Sequence, residues 1–579
     1  MNTMTASAAL ASGRVQLANV RQMALVTAKI RALWVLAGFV FITFIAIIRI
    51  GQLGVSEGAP ERTSMAEALL PSRGEITDRN GMALARAFAS YSLWFNPKAL
   101  GAAGSPLVKT PEETARALMQ IFPDADYADL VRRLSANKSG YLRRRVLPEQ
   151  ANRVFALGEP ALEFPREEQR FYPQGSLAAH VLGYVDEEGK GKVGMESVLE
   201  QRLLDPAKRG TPTALSIDAR VQGALEDELA RGMIDTKAKG AAGVILDADT
   251  GEVIALASLP SFNPNRSDLA YNDLVFNRVS NQVYELGSTF KPITVAAAID
   301  AGVVTDLGAR YPAVPFKIGG FTIHDSHNLG ASLNVPEALI QSSNVVTAHV
   351  AEKLGGPALR RTMMQLGMNE RPTIELPARG FPLWPKGANA AGEWSEITTM
   401  TVSYGHGIAV TPLHLAAAYA ALVNGGIWRP ATLYKVDPAN VPAGRRVFQA
   451  STSARMRQLL RMIVADGTGR QANAAGFRVG GKTGSAEKPG GGGYRKTSLI
   501  ATFAAAFPMD KPRFVVIAML DEPQATQATS GQRTAAWNAA PIVGRVVPRI
   551  GPMLGVVPDG TRDVDISDIS PLVPRGAHE

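Results

Sequence analysis

One uncharged apolar segment limits how this chain of 579 residues can fold. The segment, ALWVLAGFVFITFIAII (32–48), is about 17 residues long, which is near the lower limit for a helix that crosses a bilayer. Four basic residues precede it: Arg14, Arg21, Lys29 and Arg31. No acidic residue occurs before Glu57. Because basic residues flank spans on the cytoplasmic side, this pattern predicts a cytoplasmic arm (1–31), a single-pass anchor (32–50) and an external remainder.

A cleaved signal peptide and a buried core helix are the two alternatives to an anchor. The arm before the apolar run is long for a signal peptide, and no A-x-A cleavage site follows the run. Arg49 stands directly after the apolar residues, where a span would end. The sequence therefore favours an anchor that stays on the mature chain.

The chain as a whole has the composition of a globular protein, with 46% hydrophobic and 20% charged residues. Its length allows two or three domains. The net charge of +9 comes from basic residues scattered along the chain, which argues against a nucleic-acid-binding surface. There are no cysteines, so a disulfide framework, a thiolate nucleophile and a cysteine metal site are all excluded.

Short strands and helices alternate in the stretch that follows the anchor, which is rich in charge and turn residues. YSLWFNP (91–97) is typical of a strand, and PEETARALMQIF (111–122) and DYADLVRRLSA (126–136) are typical of helices. Neither histidines nor carboxylates cluster here at metal spacing. We therefore predict a scaffold or docking module over residues 65–210.

Residues 215–550 predict a second domain of the α+β class. An amphipathic helix follows a candidate N-cap, Asp218, with apolar residues at every fourth position. Three segments read as strands: a hairpin over AGVILDADTGEVIALAS (242–258), SLIATFAAAF (498–507) and RFVVIAML (513–520). Because helix-rich sequence separates the first strands from the last, we predict an antiparallel sheet with helices packed on it. The polar tail, 556–579, is predicted to be disordered.

The segment YELGSTFKP (284–292) places a hydroxyl and an amine at the start of an apolar helix. Pro292 lacks an N–H and fits only a first turn, so the helix must begin close to Ser288. Lys291 then lies three residues later on the same face. The same S-x-x-K spacing also occurs at 135–138 and 485–488. A serine N-cap followed by a lysine that reaches water would explain any one of them.

Two further motifs follow in the same domain, Ser342-Ser343-Asn344 (S-x-N) and Lys482-Thr483-Gly484 (K-T-G). S-x-N alone is weak evidence, since it recurs at 261–263, 326–328 and 332–334. The ordered set of S-x-x-K, S-x-N and K-T-G carries information that no single motif does. It resembles the three motifs of the penicillin-binding proteins and serine β-lactamases.

That resemblance gives the first two motifs a role in acyl transfer. Ser288 would attack a peptide carbonyl, and Lys291 would act as its base. Lys291 can do so only when neutral, and apolar surroundings lower the pKa of a lysine. Ser342 would relay a proton toward the leaving amine, and Asn344 would offer a donor and an acceptor to the substrate amide.

The K-T-G motif suits binding rather than proton transfer. Lys482 and Thr483 would bind a ligand that ends in a carboxylate. Gly484 would leave room for substrate backbone along the strand. The backbone N–H groups of Ser288 and Ser485 would form the oxyanion hole.

Two other patterns point to different chemistry. Residues 476–483 match the phosphate-binding loop G-x-x-x-x-G-K-[ST], but that loop needs a helix directly after it, whereas Pro489 and a run of glycines follow here. His324, Asp325 and His327 lie together, yet a zinc site would need a further ligand and a better-defined scaffold. We expect a polar loop near the site there, with neither a metal nor a cofactor in the site.

The resemblance extends over most of residues 70–550. Three segments resemble the N-terminal motifs of class B penicillin-binding proteins: RGEITDRNGMALA (73–85), RFYPQGSLAAHVLGY (170–184) and GKVGMESVLE (191–200). Four segments resemble the cell-division type of that class, penicillin-binding protein 3: PSFNPN (260–265), YELGSTFKP (284–292), SYGHGIAVTPLHLAAAYAALVNGG (403–426) and GGKTGSAEK (480–488). Two residues depart from the pattern, Ser485, where threonine is usual, and His406, where an aromatic residue is commoner.

The resemblance implies a D,D-transpeptidase that cross-links peptidoglycan stem peptides at the division septum through a serine acyl-enzyme, and that β-lactams inhibit covalently. Its fold would be a five-stranded antiparallel sheet flanked by helices, mounted on an elongated pedestal. The implied partners are lipid-linked nascent glycan strands, a SEDS-family division glycosyltransferase and bitopic divisome proteins. The anchor would lie in the bacterial inner membrane, with the catalytic domain in the periplasm.

An elongation-type class B enzyme is the nearest alternative, because it would use the same active-site chemistry. A class A bifunctional enzyme needs a glycosyltransferase domain, which does not fit before residue 70. A class D β-lactamase would be soluble and lack the pedestal, and a β-lactam sensor would carry more spans. A non-enzymatic divisome scaffold would not need an intact Ser288 and Lys482.

Overall fold

The computed structural model describes residues 4–56, 70–99, 107–136, 138–186, 188–266, 273–387, 392–490 and 493–573. Its contacts divide the chain into two units, Met1–Leu70 and Pro71–Glu579. The first unit contains one long helix, Met4–Ser56 (α1). Within it, Met23–Ile50 has the length and apolar composition of a single membrane span. This span includes the predicted anchor but begins at Met23 rather than at Ala32.

The described part of the N-terminal module contains eight strands: Ile76–Thr77 (β1), Ala83–Phe95 (β2), Gly140–Val146 (β3), Leu162–Glu163 (β4), Arg166–Phe171 (β5), Tyr184–Val185 (β6), Gly191–Val193 (β7) and Thr213–Ala214 (β8). The long β2 pairs with β1, β3, β4 and β5, while β8 pairs with β1 and β6 with β7. Helices accompany them: Pro111–Ile121 (α2), Tyr127–Ser135 (α3), Pro148–Phe155 (α4), Ala179–Leu182 (α5), Gly194–Val198 (α6) and Glu200–Leu204 (α7). Thr110 and Asp126 cap α2 and α3 by accepting backbone N–H bonds. Residues 65–69 of the predicted module lie outside the described residues.

The strands of the second domain follow in chain order: Gly240–Asp247 (β9), Val253–Leu259 (β10), Tyr311–Pro312 (β11), Phe316–Ile318 (β12), Phe321–Ile323 (β13), Ser332–Leu333 (β14), Ile427–Trp428 (β15), Arg445–Arg446 (β16), Gly480–Gly490 (β17), Gly493–Phe507 (β18) and Phe514–Asp521 (β19). Five of them form one antiparallel sheet in the order β10-β9-β19-β18-β17. The predicted hairpin is confirmed as β9 and β10, and the two other predicted strands as β18 and β19.

The helices of this domain cover both faces of the sheet: Ala219–Thr236 (α8), Lys291–Asp300 (α9), Val335–Ile340 (α10), Asn344–Leu354 (α11), Gly356–Gln365 (α12), Glu396–Ser403 (α13), Pro412–Val423 (α14), Ala450–Asp466 (α15) and Ala539–Ile550 (α16). In β9, Val244 belongs to the core cluster with α14, and Ile245 to the cluster with α8 and α16. Since neighbouring strand residues point to opposite faces, both faces are buried. α14 is buried at every position, which explains its apolar sequence on all sides.

The module and the sheet domain share one hydrophobic core. Ile76 and Leu84 of the module belong to the same buried cluster as Val244 and Leu246 of the sheet. A separate cluster around Leu93 forms the rest of the module's interior. The change of architecture predicted between residues 210 and 215 is therefore not a break in packing.

The structure differs from the expectation of a disordered tail over 556–579. Two ion pairs join this segment to α15: Asp563 with Arg461 and Asp568 with Arg455. Ile569 is buried in the main core cluster. The polar composition suggested disorder, but two aspartates of this segment form ion pairs with arginines that lie about 100 positions earlier in the chain. Residues 574–579 of the predicted tail lie outside the described residues.

Candidate active site

The candidate nucleophile, Ser288, lies in a 3-10 turn, Gly287–Phe290, that leads directly into α9 at Lys291. Pro292 occupies the first turn of α9, as its missing N–H requires. Ser288 is partly exposed, whereas Lys291 is fully buried. The prediction of a helix that begins close to Ser288 is confirmed.

Strand β17, which carries the K-T-G motif, packs against this turn. A Cβ at Gly484 would lie 2.4 Å from the carbonyl oxygen of Leu286, and a Cβ at Gly287 would lie 3.2 Å from that of Ser485. Gly287 also has a φ of +56°, which glycine adopts without strain. The Gly484 position is therefore needed for packing against the serine turn. The expectation that Gly484 also leaves room for substrate backbone stays a prediction.

Ser342 joins the first motif to the third. It lies between α10 and α11 with a φ of +62°, a left-handed conformation that is uncommon for a serine. Its Oγ lies 3.1 Å from Nζ of Lys291 and 2.9 Å from Nζ of Lys482. Lys291 also donates to the backbone carbonyl oxygen of Ser342. One hydroxyl therefore bridges the amines of two motifs.

Both amines are fully buried, and the described residues form no ion pair with either. Burial lowers the pKa of Lys482 to about 7, because it disfavours the charged form. Burial and the charge of Lys482 lower the pKa of Lys291 well below its usual value. Both amines lie within hydrogen-bond distance of the same hydroxyl, and two like charges so placed disfavour each other. The site therefore favours a state in which at least one amine is neutral. A neutral amine can accept a proton.

The K-T-G residues form a cluster of hydrogen-bond donors at the edge of the sheet. Nζ of Lys482 lies 3.2 Å from Oγ1 of Thr483, which in turn lies 3.0 Å from Oγ1 of Thr468. Such a cluster suits an anionic group. Ser485 Oγ accepts the backbone N–H of Ala535 at 3.0 Å, so its side chain is bonded within the protein.

The S-x-N motif contacts the segment that follows β13. Nδ2 of Asn344 donates to the carbonyl oxygen of His324 at 3.1 Å, which leaves the amide a second N–H and its own oxygen. The carboxylate of Asp325 accepts from Oγ of Ser343 at 2.7 Å and from the backbone N–H of Asn344 and Val345. The sequence placed Asp325 in a polar loop near the site but missed these bonds, because no spacing connects positions 325 and 343.

The patterns that suggested other chemistry take ordinary structural positions. The chain after Thr483 continues as β17, so the phosphate-binding pattern has no helix behind it. The imidazoles of His324 and His327 bond to neighbours within their own loop. Ser135 is the last residue of α3 in the N-terminal module.

A partly buried carboxylate, that of Glu285, lies beside the nucleophile turn. Glu285 accepts from the phenol of Tyr494 at 3.0 Å and from the backbone N–H of Gly407 at 3.1 Å. The ring of His406 has centroid distances of 5.5 Å to Tyr404 and 5.6 Å to Tyr494. Burial, with a smaller contribution from the charge of Lys291, lowers the pKa of His406 to about 4, so its ring is neutral at neutral pH. The unusual histidine therefore keeps aromatic neighbours.

Comparison with known proteins finds two family matches and several long relatives. Residues 241–543 match the penicillin binding protein transpeptidase domain, and residues 68–205 match the penicillin-binding protein dimerisation domain. The probable peptidoglycan D,D-transpeptidase FtsI of Caulobacter vibrioides is 37% identical over 535 residues, which cover 90% of this chain and 88% of that protein. The peptidoglycan D,D-transpeptidase FtsI of Escherichia coli is 31% identical over 524 residues, 86% of each chain.

The fold is also similar to that of a solved structure, penicillin binding protein 3 of Mycobacterium tuberculosis complexed with aztreonam. The TM-score is 0.65 at 24% sequence identity, and the match covers 85% of this chain and 98% of that one. At that identity the likeness concerns the fold alone.

Proposed function

Because this chain belongs to the class B penicillin-binding proteins, we propose that Ser288, Lys291 and Ser342 carry out its transpeptidase chemistry. The family gives the activity: the chain is a peptidoglycan D,D-transpeptidase of the cell-division type. The observation that supports the residue assignment is the Ser342 hydroxyl, within hydrogen-bond distance of two buried lysine amines.

Acylation begins when Ser288 Oγ attacks the carbonyl carbon of the D-Ala-D-Ala bond in a donor stem peptide. Lys291, neutral in its buried site, takes the proton from Ser288. Ser342 passes a proton to the leaving amine, and D-alanine departs. The amine of a second stem peptide then displaces Ser288 and closes the cross-link. The backbone N–H groups of Ser288 and Ser485 stabilise the charge that develops on the carbonyl oxygen.

The third motif orients the donor peptide. Lys482 and Thr483 bind its terminal carboxylate, for which their clustered donors are suited. The free N–H and oxygen of the Asn344 amide bind the peptide backbone. A β-lactam presents a similar carboxylate and a reactive amide, so the same attack by Ser288 would trap it as an acyl-enzyme.

The N-terminal helix supports a location of this chemistry at the membrane. The basic residues before Ala32 favour a cytoplasmic arm and a periplasmic catalytic domain at the septum of the inner membrane. There the enzyme would act on nascent glycan strands beside a SEDS-family glycosyltransferase and bitopic divisome proteins. Photo-crosslinking from positions within Met23–Ile50 in dividing cells should capture the glycosyltransferase, and capture of lipid alone would contradict this partner.

The residue assignment is tested by mass spectrometry of the full-length chain in detergent. A penicillin should add one covalent adduct, on the peptide that contains Ser288. Ser288→Ala should abolish the adduct without changing the melting temperature. An adduct on Ser135 or Ser485 would contradict the assignment, and rapid turnover of the penicillin would indicate a β-lactamase instead.

A further inference from the structure

Asp325 fixes the backbone that follows Ser342. Its Oδ2 accepts the hydroxyl of Ser343 at 2.7 Å, and its Oδ1 accepts the backbone N–H of Asn344 and, at 3.2 Å, that of Val345. A carboxylate at the first N–H groups of α11 is also favoured by the helix dipole. One side chain from just beyond β13 therefore holds Ser343, Asn344 and Val345, the three residues that follow Ser342.

Ser342 needs such support because of its backbone conformation. At a φ of +62° its Cβ crowds the adjacent backbone, which is unfavourable for any residue except glycine. In this conformation its Oγ lies 2.9 Å and 3.1 Å from the amines of Lys482 and Lys291. If the following residues were released, Ser342 would relax to an ordinary φ and its hydroxyl would leave the amines.

Asp325 also supplies a negative charge near Lys291. The groups that face Lys291 are Lys482 on β17, the hydroxyl and carbonyl of Ser342, the Asp325 carboxylate and the ring of His406. Burial has the largest effect on the pKa of Lys291 and lowers it. The charge of Lys482 lowers it further, whereas the charge of Asp325 raises it. His406 is neutral at neutral pH and adds no charge.

We propose that Asp325 is a positioning residue for acylation, which keeps Ser342 between the two lysine amines and balances the positive charge around Lys291. It acts through Ser343 and Asn344 rather than on the reacting atoms. This inference rests on the proposed roles of Ser288, Lys291 and Ser342.

The test measures the acylation rate constant of the full-length chain with a fluorescent penicillin as a function of pH. Asp325→Asn should lower the maximal rate constant about 100-fold, because a displaced proton relay misaligns the reacting groups. Loss of the negative charge should also lower the pKa of Lys291. The acidic limb of the rate profile should then move to lower pH, which a purely structural role would not cause.

Two further variants separate position from charge. Asp325→Glu keeps the charge but moves the carboxylate by one methylene, so the maximal rate should fall while the acidic limb does not move to lower pH. Ser343→Ala keeps Asp325 and removes one of its bonds, so the rate should fall less than about tenfold with the limb in place.

A wild-type maximal rate in Asp325→Asn, or a lower rate with an unmoved limb, would overturn the inference. If a lowered melting temperature shows that this variant does not fold, Asp325→Glu decides: a reduced rate supports the role and a wild-type rate overturns it. If the wild-type protein is not labelled at Ser288, the proposed function itself is wrong, and the inference that rests on it falls with it.

Discussion

Two clusters of buried charged groups lie in the larger unit, and their charges are balanced in different ways. In the N-terminal module, Glu196 accepts from Nε of Arg73 at 2.8 Å and from Nε of Arg170 at 2.6 Å. Arg73 pairs with Glu200 as well, at 2.6 Å. Each cation in this cluster therefore has a carboxylate partner.

The cluster in the sheet domain lacks such pairing among the described residues. Lys291 and Lys482 converge on the hydroxyl of Ser342. The carboxylate whose charge acts on Lys291, that of Asp325, is bonded to Ser343 and to backbone N–H groups. Since burial of an unpaired ammonium is costly, these lysines lose protons at a lower pH than usual.

A structural charge cluster and a chemical one differ in whether their cations can release a proton. Arginine keeps its proton and needs a counter-charge, so the Arg73–Glu196–Arg170 cluster ties β5 and α6 to the residues before β1. Lysine can give up its proton, so a buried pair without counter-charges becomes a site that accepts protons. Loss of the shared carboxylate in the first cluster should therefore lower stability, whereas replacement of a lysine by arginine in the second should lower activity.

The largest effect is expected for Lys291→Arg. A guanidinium cannot act as a base, so the acylation rate constant should fall by about 10³-fold or more at every pH. Labelling with a fluorescent penicillin between about pH 6 and pH 10 measures this. Recovery of activity at high pH would show that Lys291 is not the base.

Glu196→Gln should destabilise the folded protein by about 3–5 kcal/mol, because it leaves the buried Arg170 guanidinium without a charge partner and Arg73 with Glu200 alone. Chemical unfolding of the full-length chain in detergent measures the change. Glu200→Gln is the matched control, since its side chain is 24% exposed, and it should cost about 1 kcal/mol or less. Equal losses in the two variants would contradict the role of Glu196 as the shared partner.

Lys482→Arg should be milder than Lys291→Arg. The arginine keeps the positive charge that a substrate carboxylate needs but not the geometry, so the loss should be about tenfold to 100-fold and mainly in KM. Steady-state kinetics with a depsipeptide or thioester donor separates KM from kcat. A loss as complete as that of Lys291→Arg would contradict the assignment of Lys291 as the base and Lys482 as a binding residue.

The smallest effect, taken per pH unit, is a slope of stability with pH. The pKa of Lys482 is about 7 in the folded protein and 10.5 for an ordinary lysine, so between these values the unfolded chain binds more protons. Stability contributed by the neutral amine is therefore present above pH 10.5 and is lost as the pH falls toward 7, by up to about 1.4 kcal/mol per pH unit. Melting curves across this window should show that slope reduced in Lys482→Met. An identical slope in both proteins would mean that Lys482 stays charged.

Sequence patterns that span only a few residues were enough to predict much of the architecture. Pro292 placed the start of α9 next to Ser288, and Asp218 marked the start of α8, because helix ends depend on local N–H groups. The turn at residues 249–251 joined β9 to β10 for the same kind of reason. The order of the three motifs then pointed to one chemistry, since residue types alone limit which groups can attack or donate.

Tertiary structure decided everything that depends on residues far apart in the chain. The sequence contained Ser342, Lys291 and Lys482, but only packing of α9, the α10–α11 connection and β17 brought one hydroxyl between two amines. The bonds of Asp325 to the S-x-N segment arose in the same way, as did the ordered course of residues 556–573. Such contacts have no local signature, because their energy depends on the distances that the whole core imposes.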